Sequence, residues 1–317
     1  MAAASWNWGT FGDEVVKEFA GLIKDKTILV TGVASGGLGG ETAITLSKAH
    51  PKLIILHARS EDKISPIAKA VAEQGVPSKS VVMDLASFAS VRKAAETVNS
   101  WADVTIDVMI NCAGVMATPY GKTADGFEQQ FGINHLGHFL FTNLLLKAGK
   151  VADGGRIVNV TSGGHMRSPI RWDDVNFSDG AEYDKYAGYG QSKTANILYS
   201  IALADKLKGH QIASFSVHPG VIITNLGRYQ SKEELEALIA ATKSLSHVSK
   251  YNFNYKELNQ GVSSQIMAAF SPGILDQNGA YIYDCQIQEA AEHARSLEDA
   301  NRLWAMSEEM VGEKFKF

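Results

Sequence analysis

Tyr189-Gly190-Gln191-Ser192-Lys193 sets a phenol and an ammonium four residues apart. On a helix these side chains lie one turn apart on the same face. A cation beside a phenol favours the phenolate and lowers its pKa. A free tyrosine, near pKa ~10, is a poor acid–base at neutral pH, and moving it toward ~7 takes roughly 4 kcal/mol. One ammonium at ~4 Å supplies about that at an effective dielectric near ~20. A tyrosine so tuned passes a proton to or from a substrate oxygen. The spacing alone also describes a solvated helix pair, so the elements that would position these residues decide the matter.

Thr27-Ile28-Leu29-Val30 is a short apolar run that reads as a buried parallel strand. Thr31 to Gly40 follows with five glycines (Gly32, Gly36, Gly37, Gly39, Gly40), and Glu41 to Ala49 then reads as a helix. Strand, glycine loop and helix together let backbone amides approach a pyrophosphate. A second strand, Leu53 to Leu56, ends at His57-Ala58-Arg59-Ser60. No carboxylate stands there for a ribose 2′-hydroxyl, whereas Arg59 can fork onto a 2′-phosphate. This points to NADP(H) over NAD(H), by on the order of 10- to 150-fold for one charge-assisted contact. Lys63 is a second candidate at the same phosphate.

Strands at Ser80 to Met83 and Asp107 to Ile110 end in Asp84-Leu85 and Asn111-Cys112-Ala113-Gly114. Strand ends are where open α/β sheets bind ligands; Asp84 reads equally as a helix cap. Phe127 to Ala148 reads as one long helix carrying Asn134, His135 and His138, the two histidines being packing residues rather than a metal pair. A fifth strand, Arg156 to Val160, ends at Thr161-Ser162. Met166 to Tyr186 has no periodicity and reads as a long functional loop. A helix from about Asp184 to Leu207 carries Tyr189 and Lys193. The sixth strand, Ile212 to Val217, precedes His218-Pro219-Gly220 and the Val221 to Thr224 run. Ser231 to Leu245 and Glu257 to Phe270 read as helices flanking a flexible insertion. Ala280 to Tyr283 is a last strand, and Glu289 to Phe317 a charged tail, helical from about Leu297. The fold class is α/β: one Rossmann-type doubly wound parallel sheet with helices on both faces. A single domain is expected over residues 1–317, with substrate loops at about 163–183 and 221–258 and a C-terminal tail over about 286–317.

The 317 residues are 45% hydrophobic and 20% charged, as in a soluble globular protein with a sizeable core. Net charge -4 and a pI of about 6.1 give no basic footprint for nucleic acid. No apolar run reaches the ~18–20 residues of a membrane span, and Met1 to Thr10 lacks the pattern of a signal peptide. Trp6 and Trp8 are expected to pack on the domain. Cys112 and Cys285 lack metal spacing and read as buried free thiols in strands, which fits a reducing, cytoplasmic home.

Taken together, Thr31-Gly32 with its glycine loop, Asp84, Asn111-Cys112-Ala113-Gly114, Asn134, Ser162, Tyr189-x-x-x-Lys193 and Pro219-Gly220-x-x-x-Thr224 resemble the short-chain dehydrogenase/reductase family. They occur in the family's order over nearly the whole chain. Asn134-His135-Leu136-Gly137-His138-Phe139 and the long loop before Tyr189 resemble the retinol-dehydrogenase-like branch, including its fungal secondary-metabolism members. One departure is the glycine loop. Leu38 stands where the family has its last glycine, and Gly37-Leu38-Gly39 restores the pattern if the loop is one residue longer.

The resemblance implies a catalytic tetrad. Tyr189 is the proton donor in reduction or acceptor in oxidation; Lys193 lowers its pKa and holds the nicotinamide ribose. Ser162 bonds the substrate oxygen, and Asn134 positions a water linking Lys193 to solvent. The implied NADP(H) contacts are Gly32, Ser35, Gly37, Leu38, Gly39, Arg59, Asp84, Leu85, Asn111, Ala113, Tyr189, Lys193, Ile222 and Thr224, with no metal. The expected activity interconverts a carbonyl and an alcohol on a lipophilic small molecule, with Trp172, Phe177, the Val221 to Leu226 run and Tyr229 over the nicotinamide. Rival readings are a cofactor-binding sensor or scaffold and a carbon–carbon double-bond reductase. Family members also dimerise through the helices bearing Asn134 and Tyr189, so a homodimer is a further expectation, unless the C-terminal tail covers that contact.

Overall fold

The structure, a computed structural model, describes residues 6–243 and 254–317. Eight strands form one sheet: β1 (Thr27–Thr31), β2 (Leu53–Ala58), β3 (Ser78–Val82), β4 (Ile106–Asn111), β5 (Val151–Val160), β6 (Ala213–His218), and, beyond a two-stranded outlier, β9 (Tyr281–Tyr283) and β10 (Gln286–Gln288). The outlier pairs β7 (Val221–Ile222) with β8 (Tyr255–Lys256). The strand order β3-β2-β1-β4-β5-β6-β9-β10 reverses direction between β1 and β4, the switch point at which such sheets hold ligands. All pairings in the sheet are parallel except β9 with β10, so the expectation of a wholly parallel sheet gives way at one edge. A short turn at Asp284-Cys285, both at positive φ, reverses the chain there.

Side chains alternate across each strand, and both faces are buried. Leu29, Ile55, Met109 and Ile157 meet one core with helices 88–99, 137–147, 185–206 and 297–311. Ile28, Ile54, Val108 and Val158 meet the other with helices 12–18, 38–47, 61–73 and 258–270. Trp6 joins the second core edge-on to Phe19, ring centroids 5.1 Å apart, and Trp8 donates from Nε1 to the Asn254 carbonyl.

Three expectations change. Residues 127–148 are not one regular helix: a short helix Gln129–Phe131 passes into a π turn, Gly132–Leu136, before Gly137–Lys147 resumes α geometry. The C-terminal stretch is not a tail. Helix Leu297–Val311, capped by Ser296 and stopped by Gly312 at φ 68°, buries Leu303, Trp304 and Val311 against the Tyr189 helix. Cys112 lies just past β4, and Cys285 in the β9–β10 turn; both are free thiols outside strands. The helix expected at Ser231 to Leu245 is seen as Lys232–Lys243. The flexible insertion expected after it lies outside the described residues.

Candidate active site

A cavity of about 1320 Å³ opens at the switch point. At one end it is walled by the loop between β1 and helix Leu38–Ser47, including Gly32, Ser35, Gly37, Leu38 and Gly39. Gly37 precedes the first helical turn, so the free amides of that turn face the cavity. Gly39 has no room for a side chain: a Cβ there would sit 2.6 Å from the Gly32 carbonyl oxygen. It therefore plays the close-packing part of the last glycine one residue late, and Leu38 is simply the first helical residue. This cradle has the shape and the unpaired donors that a pyrophosphate needs.

His57, at the end of β2, secures the loop. Its Nδ1 and its carbonyl oxygen both accept from the Gly32 amide, and its Nε2 donates to the Met83 carbonyl at 3.0 Å. Burial lowers its pKa to about 4, which keeps the ring neutral in that arrangement. The sequence reading noted His57 only for lacking a carboxylate. Beside it Arg59 is exposed and lines the cavity, together with Lys63, whose ammonium lies 3.6 Å from Asp62. Asp84 and Leu85 line the adjacent wall. Asp84 accepts from the Ala86 amide, and Ser87 is the cap of helix 88–99, which decides against Asp84 as that cap.

Asn111 is a correction. It does not line the cavity: its amide donates to Thr142 and to Asn159 within the core. A polar residue at a strand end can as readily turn inward to satisfy its neighbours as outward. Ala113, Ile222 and Thr224 do line the cavity.

The inner wall brings Ser162, Tyr189 and Lys193 together. Asp184 caps the helix Lys185–Lys206 by accepting from the Tyr186 and Ala187 amides, which sets Tyr189 and Lys193 on one face. Gly190 lets this helix approach the serine loop, since a Cβ there would lie 2.9 Å from the Gly164 carbonyl. The Ser162 hydroxyl and the Tyr189 phenol both face the cavity, near enough for the serine to draw the phenol's pKa down. The Lys193 ammonium donates to the Val160 carbonyl at 3.0 Å and sits 5.6 Å from the centre of the Tyr189 ring.

The electrostatics run opposite to expectation. Burial pushes the Tyr189 phenol up to about 12, against a smaller lowering by the Ser162 hydroxyl, and burial brings Lys193 down to about 8. Burying a phenolate costs more than a neighbouring ammonium, itself desolvated, returns. Both groups are buried, so that cost falls on each.

Asn134 does not reach the cavity either. It sits in the π turn, fully buried, with Oδ1 accepting from the Val115 amide and Nδ2 donating to the Val115 carbonyl and Ser192 hydroxyl. A Cβ on Gly114 would lie 3.0 Å from its Oδ1 and 3.7 Å from the Lys193 nitrogen, so Asn134 stands directly behind the lysine. Its carbonyl accepts from His138 Nδ1. His138 Nε2 meets Thr31 and His135 Nε2 meets Ser307, both rings buried, with pKa values lowered to about 3.

Trp172 and Phe177 are not above the site. Arg302 stacks over Trp172, and Phe177 is buried beneath Arg171. Tyr229 lies outside the lining, under Arg228. The Val221 to Leu226 run lines the cavity as expected, joined by Arg167 and Tyr186 from the loop expected at Met166 to Tyr186.

The family model for short chain dehydrogenases matches residues 26–172. Retinol dehydrogenase 14 of Mus musculus is 37% identical over 303 residues, covering 92% of this chain and 87% of the relative. The chain belongs to the short-chain dehydrogenase/reductase family. Human retinol dehydrogenase 12, from Homo sapiens, is 34% identical and covers 90% of this chain and 86% of its own, which sets this family member in the retinol-dehydrogenase-like branch. An uncharacterised protein from Mycobacterium paratuberculosis, 28% identical, superposes with a TM-score of 0.71 over 93% of this chain and 96% of that one. An angucycline C-6 ketoreductase with bound NADP, 23% identical, shares the fold with a TM-score of 0.63 over 83% and 95% of the two chains. As a member of this family the protein is an alcohol/carbonyl oxidoreductase using a nicotinamide dinucleotide.

Proposed function

We propose that the protein is an NADP(H)-dependent carbonyl reductase acting on a lipophilic small molecule. The observation that carries this reading is Ser162, Tyr189 and Lys193 brought together on the cavity wall, with the phenol held protonated by burial. The bound dinucleotide supplies the hydride. As the substrate carbonyl oxygen gains charge, the Ser162 hydroxyl and the Tyr189 phenol donate to it, and Tyr189 gives up its proton. Lys193, close behind, stabilises the phenolate left over. The phenol is protonated before the hydride arrives, as a proton donor for reduction must be. Arg59 and Lys63 are the readers of a 2′-phosphate, and no carboxylate of β2 competes there. The apolar Val221 to Leu226 stretch, with Ile223 75% exposed, favours a lipophilic substrate.

Helix 297–311 lies along the Tyr189 helix, and in helix 137–147 every residue but Leu144 and Lys147 is already buried. A homodimer would therefore use another surface. No helix among the described residues is long and apolar enough to cross a membrane, and the two free thiols fit the cytoplasmic setting proposed for it.

A panel of decanal, a cyclic enone and an aromatic diketone, assayed with NADPH and with product analysis, tests the reading. Tyr189→Phe is expected to lower turnover by ~10²- to 10⁴-fold, the usual weight of a positioned acid–base group. Near-normal turnover in that variant sinks the assignment, and an enone product saturated at its double bond with the carbonyl intact would make the protein a carbon–carbon double-bond reductase instead.

A further inference from the structure

We infer that His165 is a positioning residue for Ser162, and that through it the C-terminal segment holds the serine in place. This rests on the role of Ser162 given above. His165 is fully buried. Its Nδ1 donates to the Ser162 carbonyl at 2.7 Å, and its own amide donates to the same oxygen at 3.1 Å. Its Nε2 accepts from the Ala291 amide at 3.1 Å. These two bonds fix one neutral tautomer, because a single ring must donate on one side and accept on the other. Its carbonyl accepts from Thr194 Oγ1, one residue beyond Lys193, and from His293 Nε2 at 2.9 Å. The ring packs against Tyr281 of β9.

His165 thus joins three parts: the Ser162 loop, the helix bearing Tyr189 and Lys193, and residues 291–293 beyond β10. Ser162 itself is extended, at φ -158° and ψ 157°, with its hydroxyl accepting from the Gly164 amide. Two donors from one residue on the serine's carbonyl fix the backbone on which that hydroxyl rides. Nothing else described bonds the Ser162 carbonyl. Without the imidazole the shorter of the two bonds is gone and only the His165 amide holds that carbonyl, so the serine backbone is less firmly fixed and its hydroxyl less well aimed at the site. A displacement near 1 Å in a positioned group is enough to cost turnover about 10²-fold.

Four variants separate the possibilities, each measured for kcat on the most active carbonyl of the panel and for NADPH affinity by fluorescence. Ser162→Ala tests the underlying reading. His165→Asn keeps an amide donor in place of Nδ1, whereas His165→Gln places its amide toward Ala291 and His165→Phe removes both bonds. The expected result is a ~10- to 100-fold fall in kcat for His165→Phe and His165→Gln, with NADPH affinity within ~2-fold and His165→Asn within ~3-fold of the parent. In a Ser162→Ala background, His165→Phe should add no further loss, because a residue acting only through the serine has nothing left to position. If Ser162→Ala lowers kcat and His165→Phe does not, the inference falls and the reading of the site stands. Equal losses in His165→Asn and His165→Phe, or additive losses in the double variant, also overturn it by making the ring a general packing element. Unchanged kcat in Ser162→Ala removes the serine's role and the inference with it.

Discussion

At the dinucleotide end of the cavity the walls are the ends of β1, β2 and β4 and one glycine loop, all tied to the main sheet. At the substrate end they are residues 221–228 and 230–232, Arg167, Tyr186 and Tyr255, carried on loops and on the two-stranded β7–β8 pair outside that sheet. The first end is crowded with backbone against backbone. The second is open: Ile223 and Tyr255 are largely exposed, and the pair is fastened below by the buried Lys256, 2.6 Å from Asp284. A cofactor common to many reactions suits a site with one allowed shape. A substrate particular to one enzyme suits a site whose side chains can change without disturbing the sheet.

Glycines at the two ends put this contrast to the sharpest test. A Cβ on Gly39 would meet the carbonyl oxygens of Gly32 and Thr31 at 2.6 and 2.8 Å, so something must move. Gly227 also lines the cavity, but a Cβ there would meet Gln230 at 3.8 Å, an ordinary contact. Gly39→Ala is expected to cost about 1–3 kcal/mol of stability, the usual toll of overpacking, with a fall in NADPH affinity of tenfold or more. Gly227→Ala should stay within about 0.5 kcal/mol. Thermal unfolding with and without NADPH gives both numbers. Equal effects would mean that the two ends are built alike after all.

Legibility in the sequence follows the same division. The glycine loop, the strand ends and the Tyr189–Lys193 face were readable because each depends on neighbours within a few residues. What escaped depends on partners far away. The π turn at Asn134 goes with an amide bonded to Val115 and Ser192, nineteen and fifty-eight residues distant. Asn111 turns to Thr142 and Asn159 instead of the ligand, a choice made by the core. His165 is bonded to a segment 126 residues later. The C-terminal helix, by contrast, was readable and begins where expected, at Leu297 with Ser296 as cap and Gly312 as stop; only its packing against the Tyr189 helix, which depends on distant partners, was not. The Tyr189 pKa departs from the local expectation for a different reason: burial of the phenol is a property of the whole fold, which the spacing to Lys193 does not reveal.

Arg59 sharpens the comparison at the edge of the rigid end. It is exposed, so its removal should leave the fold intact while touching one phosphate. Arg59→Ala is expected to weaken NADPH by ~10- to 100-fold, the weight of one charge-assisted contact. NADH, lacking that phosphate, should change by no more than ~3-fold. Fluorescence titration of both dinucleotides measures the pair. A parallel loss for both would assign Arg59 to the general shape of the loop, and unchanged NADPH affinity would pass the phosphate to Lys63.

The smallest effect is expected at Ile223, and its smallness is the point. The side chain projects from the substrate loop just past β7, lines the cavity and is mostly in solvent, so nothing in the core rests on it. Ile223→Ser should leave the unfolding midpoint and NADPH affinity where they were. Its cost should appear in KM for a long aliphatic aldehyde such as decanal, because only a bound chain covers that surface. Losing an apolar contact worth about 1 kcal/mol raises KM roughly fivefold with kcat within ~2-fold, and a short aldehyde that cannot reach the loop should not notice the change. A drop in kcat for both aldehydes would show that the loop helps shape the Ser162–Tyr189 pair, and the division between a fixed cofactor end and an adaptable substrate end would have to be redrawn through the middle of the cavity.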